Sequence, residues 1–336
     1  MKTFYTMSSF ENLSEFISQQ GFYKSCEFSI LYDKEYHGNM PNKMNDLSKL
    51  CDYSVLYIHS YYFNKQIVDN IKHKIILIVG NDDYTFPYYH FWNYPVHYLS
   101  LDDKNMYVNE NQSNQAEKYY NKSDFLTILE SEKIVHCFAQ NCVIKHTKIT
   151  KIPIGIFFND TRNLYNSYIL NALQQEKLIK NIISFGEPIA SRKQLCYGNF
   201  HFNINSSTFG YDRKDAFSKI PSDLIEYEIN RLEKFESYRK MIKYAFIVSP
   251  HGNGLDCFRT WEAIYLGCIP IVKTSMIDDL YDNLPVLIVK DWSDITRELL
   301  EETLIWYKEN VSLFCFEKLK LSYWIEKIYS YKNENL

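Results

Sequence analysis

The stretch Tyr244–Val272, YAFIVSPHGNGLDCFRTWEAIYLGCIPIV, constrains the fold of this chain more than any other. It reads as a buried strand at Phe246–Ser249, a turn broken by proline and glycine at Pro250–Gly254, and a helix over Asp256–Leu266. A glycine stop at Gly267 and a second buried strand at Ile269–Val272 follow. Only ten glycines occur in 336 residues, and Gly252, Gly254 and Gly267 all fall here. A glycine-rich turn that opens a helix lets the backbone approach a phosphate. The unpaired N–H groups and the dipole of the helix then favour the anion. The same turn carries His251 and Asp256, with Arg259 and Glu262 on the helix behind it. This is equipment for a nucleotide diphosphate.

The remaining bulk properties exclude other classes. A net charge of −4 and a pI near 6.2 lack the basic excess of a nucleic-acid binder. No segment approaches the roughly 18 continuous apolar residues of a membrane span. The N-terminal MKTFYTMSSFENLSEF has early acids and no apolar centre, so it does not read as a secretion signal. Eight scattered cysteines, with Cys137, Cys257 and Cys268 in apolar strands or a helix, read as reduced thiols of a cytoplasmic protein. The 29 tyrosines invite a sugar-stacking reading, but Tyr, Phe, Ile, Asn and Lys are enriched together, as codon bias in an AT-rich genome would produce.

Short apolar runs alternate with helical patterns along the chain, which is the α/β pattern. Strands are expected at Glu27–Tyr32, Val55–His59, Lys74–Val79, Lys133–Ala139 and Lys148–Ile156. IILIVG and IVHCFA are apolar on both faces and suit the centre of a parallel sheet. A short helix is expected at Asp124–Glu130. A new strand is expected at Asn181 (NIISFG), a long helix over Ser222–Tyr244, a strand at Val286–Lys290, and helices over Thr296–Asn310 and Leu313–Tyr331. The simplest layout has an N-terminal α/β domain over 1–175, a C-terminal one over 176–310 that holds the motif, and a helical tail over 311–336 returning to the first.

The segment Ser249-Pro250-x-Gly252, followed by Arg259-x-x-Glu262-Ala263-Ile264 and Gly267-Cys268-Ile269-Pro270-Ile271-Val272, resembles the nucleotide-sugar domain of exostosin-like glycosyltransferases. Leu284, Pro285, Asp291 and Trp292 continue the resemblance. Earlier, FAQNC (Phe138–Cys142), IPIG (Ile152–Gly155) and IVGNDDYTFP (Ile78–Pro87) look like segments of small soluble relatives from viruses and unicellular organisms. The resemblance implies a GT-B fold: two Rossmann-like domains with parallel sheets facing an interdomain cleft, donor in the C-terminal one. It also implies inversion at the anomeric carbon, no required metal and no cofactor beyond the nucleotide sugar. The acceptor would be a hydroxyl of a glycan or another molecule. The chain lacks the longer N-terminal domain and anchor of the exostosins proper, so their acceptors do not transfer. The pattern also resembles the donor domain of α1,3-fucosyltransferases, which keeps a GDP-sugar donor open.

Each candidate residue has a plainer reading beside the functional one. Glu262 can pair with Arg259 at i, i+3, worth only about 0.2–0.5 kcal/mol; the resemblance instead gives its carboxylate to a nucleotide ribose. Arg259 can be a surface cation, or can reach a diphosphate with its planar fork. Asp256 can be the helix N-cap. His251 can donate to phosphate or only pack. Arg192 and Lys193, placed after the expected strand at Asn181, can clamp the same diphosphate or form a solvated pair. Asp82 and Asp83 end the apolar strand IILIVG, and Asp83 is the candidate base for the acceptor hydroxyl. YYHFWNY (Tyr88–Tyr94) can be an acceptor platform or core. His136, Cys137, Cys142 and His146 have poor spacing for zinc, since the first two point to opposite faces of a strand. No phosphate-binding GxxxxGK[ST] or early GxGxxG occurs. The main rival reading is a non-catalytic relative that binds a glycan or nucleotide as an interaction module.

Overall fold

The computed structural model describes residues 13–30, 47–60, 63, 65–80, 85–86, 127–158, 170–202 and 211–334. Asp82, Asp83 and Tyr88–Tyr94 lie outside these residues, as does the first part of the helix expected at Asp124, of which 127–130 are helical.

The apolar runs of the first half become β1 (Phe28–Ile30), β2 (Ser54–His59), β3 (Ile75–Gly80), β4 (Ile134–Ala139) and β5 (Ile149–Lys151). They form a parallel sheet in the order β1-β2-β3-β4-β5. Every residue of β2 and β3 is buried, which is why these segments carry no alternation of polar and apolar residues. The strand expected to run to Ile156 stops at Lys151.

The second half holds β6 (Lys193–Gly198), β7 (Ile225–Tyr227), β8 (Tyr244–Val248), β9 (Ile269–Lys273) and β10 (Leu287–Val289). They form a second parallel sheet in the order β10-β9-β8-β6-β7. The chain leaves β6 for β7 on one side and returns to β8 on the other. The topological switch point therefore lies between β6 and β8, where open α/β sheets bind ligands beyond their carboxyl ends. The two-sheet α/β architecture is the one the sequence leads to.

The helices are α1 (Gln19–Lys24), α2 (Lys65–Asn70), α3 (Ala172–Ser184), α4 (Tyr211–Lys219), α5 (Lys234–Met241), α6 (Phe258–Tyr265), α7 (Arg297–Asn310) and α8 (Leu321–Asn333). Three further expectations fail. NIISFG is the end of α3 rather than a strand. An Asn171–Gln174 capping box starts that helix, and its buried Gln175, Ile179 and Ile182 follow the i, i+4, i+7 spacing. Ser222–Tyr244 is not one helix. Ile225 is drawn into β7 by pairing with Cys196, and helix begins again only at Lys234. The last helix begins at Leu321 rather than Leu313.

The carboxyl edges of the two sheets face each other. Asn141 follows β4, Ile154 follows β5 and Asp256 follows β8. The Ile154 N–H donates to Asp256 Oδ2 at 2.8 Å, and the Asp256 N–H donates to Asn141 Oδ1 at 2.8 Å. Lys151 at the end of β5 donates to the Met276 carbonyl and to Asp279, beyond β9. Helix α8 lies against the first sheet: Tyr329 donates to the Ser25 carbonyl, Lys332 pairs with Glu27 at 2.6 Å, and Tyr331 stacks on His136. One apolar cluster runs through both halves, joining Tyr57, Ile76 and Phe138 to Trp261, Ile264 and Tyr281.

Candidate functional site

The site is built on the turn between β8 and α6. The strand ends on the apolar YAFIV run, and Pro250 stops it. Ser249 and Thr260 share a hydrogen bond of 2.9 Å that ties the strand end to the first turn of α6. Within the turn the Gly252 N–H donates to the Gly254 carbonyl at 3.1 Å. A Cβ on Gly252 would stand 3.0 Å from Nη2 of Arg213, so this position is closed to a larger side chain unless that guanidinium gives way. Cys257, not Asp256, is the N-cap residue of α6, and it supplies no side-chain cap to the helix N–H groups.

Arg259 stands one residue inside α6. Its Nε donates to Asn199 Oδ1 at 2.6 Å, and its guanidinium lies 5.8 Å from the Phe200 ring centroid. Asn199 and Phe200 directly follow β6, so β6 and the helix after β8 meet at the switch point through this bond. The Asn199 amide is fixed in turn, its Nδ2 donating to Ser237 Oγ at 2.9 Å and to Met241 Sδ on α5. Among the described residues the two terminal nitrogens of Arg259 take no hydrogen bond and the guanidinium forms no ion pair. Burial lowers its pKa. The positive end of the α6 dipole also opposes it. Burial and the helix dipole therefore disfavour this charge in the free protein, and the nearby Glu262 carboxylate offsets them only in part.

Glu262 lies one turn further along, half-buried. It attracts Arg259 without forming an ion pair, so the simple i, i+3 pair is not what the structure holds. Burial lowers the pKa of Lys234, and the Glu262 carboxylate offsets this only in part. The buried Tyr238 hydroxyl lies beside the carboxylate without a hydrogen bond of normal geometry, and both burial and Glu262 raise its pKa. Lys234 donates to the Phe157 carbonyl of the first half and to Gln175 Oε1, and sits against the rings of Phe158, Phe235 and Tyr238. Phe157, 45% exposed, lies 5.2 Å from Phe258 at the start of α6. An acceptor (Glu262), an unpaired fork (Arg259) and aromatic rims from both halves thus surround the start of one helix.

The other expected residues fall elsewhere. His251 is 3% exposed and faces inward. Its N–H donates to Asp212 at 2.9 Å, its ring lies 3.5 Å from the same carboxylate, and burial lowers its pKa. Asp212 also accepts from Trp292 Nε1, and Lys273 pairs with Asp215 at 2.9 Å. Arg213 donates to the His201 and His251 carbonyls. This buried network holds the turn from behind. Asp256 is likewise buried. It accepts from Ile154 and from Trp261 Nε1 at 2.7 Å, and burial pushes its pKa up to about 7 against those donors. Its carboxylate clasps the two halves together.

Arg192 is a correction. It precedes β6, at the amino edge of the sheet, because the segment before it is helix rather than strand. Its Nη1 donates to the Leu266 carbonyl at 3.0 Å and its Nε to the Glu187 carbonyl. Leu266 ends α6. Arg192 therefore caps the opposite end of the helix that starts at the site, about 12 Å away for eight residues. Lys193, the first residue of β6, pairs with Glu226 of β7. Asn199, Lys234 and Tyr238 were not singled out from sequence. Only the position of Asn199 after a buried strand could have suggested it.

Among the described residues no group of His, Cys, Asp or Glu has the geometry to hold a metal, and His136 Nε2 is engaged by Thr150 at 2.8 Å. None of the eight cysteines is paired in a disulfide. Among the described residues no helix is long and apolar enough to cross a membrane.

No protein-family model matches the chain, and no curated protein sequence matches it. A solved structure similar to it is an alpha,alpha-trehalose-phosphate synthase (UDP-forming) from Burkholderia vietnamiensis. That structure is 9% identical, with a TM-score of 0.44, and the match covers 86% of this chain and 76% of that one. A likeness that distant carries no argument about function.

Proposed function

We propose that this chain is a nucleotide-sugar glycosyltransferase of GT-B type, with the diphosphate of the donor bound at the turn between β8 and α6. One observation carries the reading: Arg259 is a half-buried guanidinium in the first turn of a helix, its Nε held by a neutral amide and, among the described residues, in no ion pair, at the switch point of a parallel sheet. A diphosphate supplies the missing charge, and the uncapped N–H groups of α6 are the complementary donors. In this reading Glu262 accepts from the ribose, and the fork of Arg259 follows the leaving diphosphate as its charge grows. The acceptor is a hydroxyl of a glycan or similar molecule, the reaction inverts, and no metal is required. Asp83 stays the candidate base on sequence grounds.

A thermal-shift panel of UDP- and GDP-sugars tests the binding half of the proposal, because a ligand at 100 times its dissociation constant adds about 2.7 kcal/mol of stability. Slow hydrolysis of the stabilising donor without acceptor is the expected signature of an enzyme. Glu262→Ala is expected to weaken binding by about 1.5–3 kcal/mol with the fold intact. Stabilisation by no nucleotide sugar would overturn the proposal, and binding without hydrolysis or transfer would favour the non-catalytic relative.

A further inference from the structure

We propose that Asn199 is a positioning residue for Arg259, and that its being a neutral amide rather than a carboxylate is what keeps the site receptive to an anion. The functional part of this inference rests on the diphosphate reading above; the orienting part does not.

An arginine side chain has several rotatable bonds, and fixing it costs rotamer entropy. A fork that must meet a diphosphate in one geometry gains if that cost is met before the ligand arrives. Asn199 does this. It takes the Nε–H at 2.6 Å, while Ser237 and Met241 hold its own Nδ2, so the amide cannot swing away. The guanidinium lies over the Phe200 ring, 5.8 Å from its centroid. The chain Ser237–Asn199–Arg259 thus links α5, the end of β6 and α6, and among the described residues neither terminal nitrogen donates a hydrogen bond.

The chemistry of the acceptor is the second point. Buried arginines usually meet carboxylates, because an unpaired buried charge is costly. An aspartate has almost the shape of asparagine and would accept the same Nε–H with a full charge. It would stabilise Arg259 and also neutralise it, so an incoming diphosphate would meet a spent cation and a nearby negative charge. The amide accepts the hydrogen bond and leaves the charge unspent.

Asn199→Asp therefore separates positioning from simple support of the fold. The variant is expected to be at least as resistant to urea as the wild type, yet to bind UDP or GDP more than tenfold more weakly at pH 8. Taken relative to the wild type at each pH, which removes the nucleotide's own phosphate titration, that loss shrinks only as the pH falls below the ordinary aspartate range and the new carboxyl, held ionised by Arg259, is protonated. Asn199→Ala is expected to lose affinity in the wild-type background and little in an Arg259→Lys background, since lysine has no Nε–H fork to orient. Independently of any nucleotide, the Arg259 Nε–H should be protected from hydrogen exchange in the wild type and exposed in Asn199→Ala. Unchanged protection would overturn the orienting role. Unchanged affinity in Asn199→Asp would overturn the charge argument. If protection behaves as expected but the wild type binds neither nucleotide, the diphosphate reading fails, and with it the charge argument, while the orienting role stands.

Discussion

Arg259 and Arg192 sit at the two ends of the same eight-residue helix, and they could hardly be used more differently. Arg192 lies at the carboxyl end, where the helix carbonyls and dipole attract a cation. It donates to Leu266, Glu187 and the Cys268 sulfur. A Cβ on either Gly186 or Gly267 would stand 3.1 Å from its Nη2, so its guanidinium fills a slot between two glycines. Everything around it rewards the charge it already carries. Arg259 lies at the amino end, where dipole and burial both oppose its charge and its acceptor is neutral. A cation placed where the free protein gains least from it is a cation kept for a ligand. The residue type is the same; the edge of the sheet decides its role.

The carboxyl edge carries structural residues as well as Arg259. Asp256 gives the largest expected effect. Its raised pKa means that the folded protein holds a proton between about pH 4 and pH 7 that the unfolded chain has released. The folded state binds more protons there, so stability falls as pH rises through that window. Asp256→Asn removes this term. Relative to the variant, the wild type should lose up to about 1.4 kcal/mol per pH unit from pH 4 to 7 in urea unfolding. A difference that does not change with pH would show that Asp256 is ionised throughout. Next in size, Arg192→Ala leaves a helix-end carbonyl and a glycine-lined slot unfilled. It should cost about 1–3 kcal/mol of stability without touching nucleotide affinity. Weakened nucleotide binding in the folded variant would return Arg192 to the donor site. The smallest effect has the opposite sign: Arg259→Gln should leave stability unchanged or raise it by about 0.3–1 kcal/mol, because a cation leaves a helix N-terminus. A clear loss of stability would mean that Arg259 is structural after all.

The motif and its surroundings were legible because the signals there are local. YAFIV and IPIV are short apolar runs bounded by Pro250, Gly252 and Gly267, and Gly267 does take the left-handed conformation, φ 70°, that a helix stop favours. The buried strands β2, β3 and β4 carry the same kind of signal. Ser222–Tyr244 failed for the reverse reason. Leu224, Ile225, Ile229 and Leu232 have helical spacing, but pairing with Cys196 takes Ile225 into a strand, and Ile229 is 93% exposed. Which periodic residues are buried is a tertiary fact. Arg192 departs from its expected place through one boundary: the Asn171–Gln174 capping box makes the segment through Asn181 helical, so Arg192 stands at the amino edge of the sheet and not beyond a strand end. Asp256 and His251 were legible as special residues but not as inward-facing ones, because their partners Ile154, Asn141 and Asp212 lie 39 to 115 positions away.

The central claim is that the start of α6, and not its end, receives a diphosphate. Calorimetric titration of UDP and GDP into the wild type, Arg259→Gln and Arg192→Gln tests it most directly. One of the two nucleotides should bind the wild type and Arg192→Gln with equal affinity, and Arg259→Gln about 10–100-fold more weakly, the worth of a charge-assisted hydrogen bond. Equal affinity in Arg259→Gln and the wild type, or a loss confined to Arg192→Gln, would contradict it.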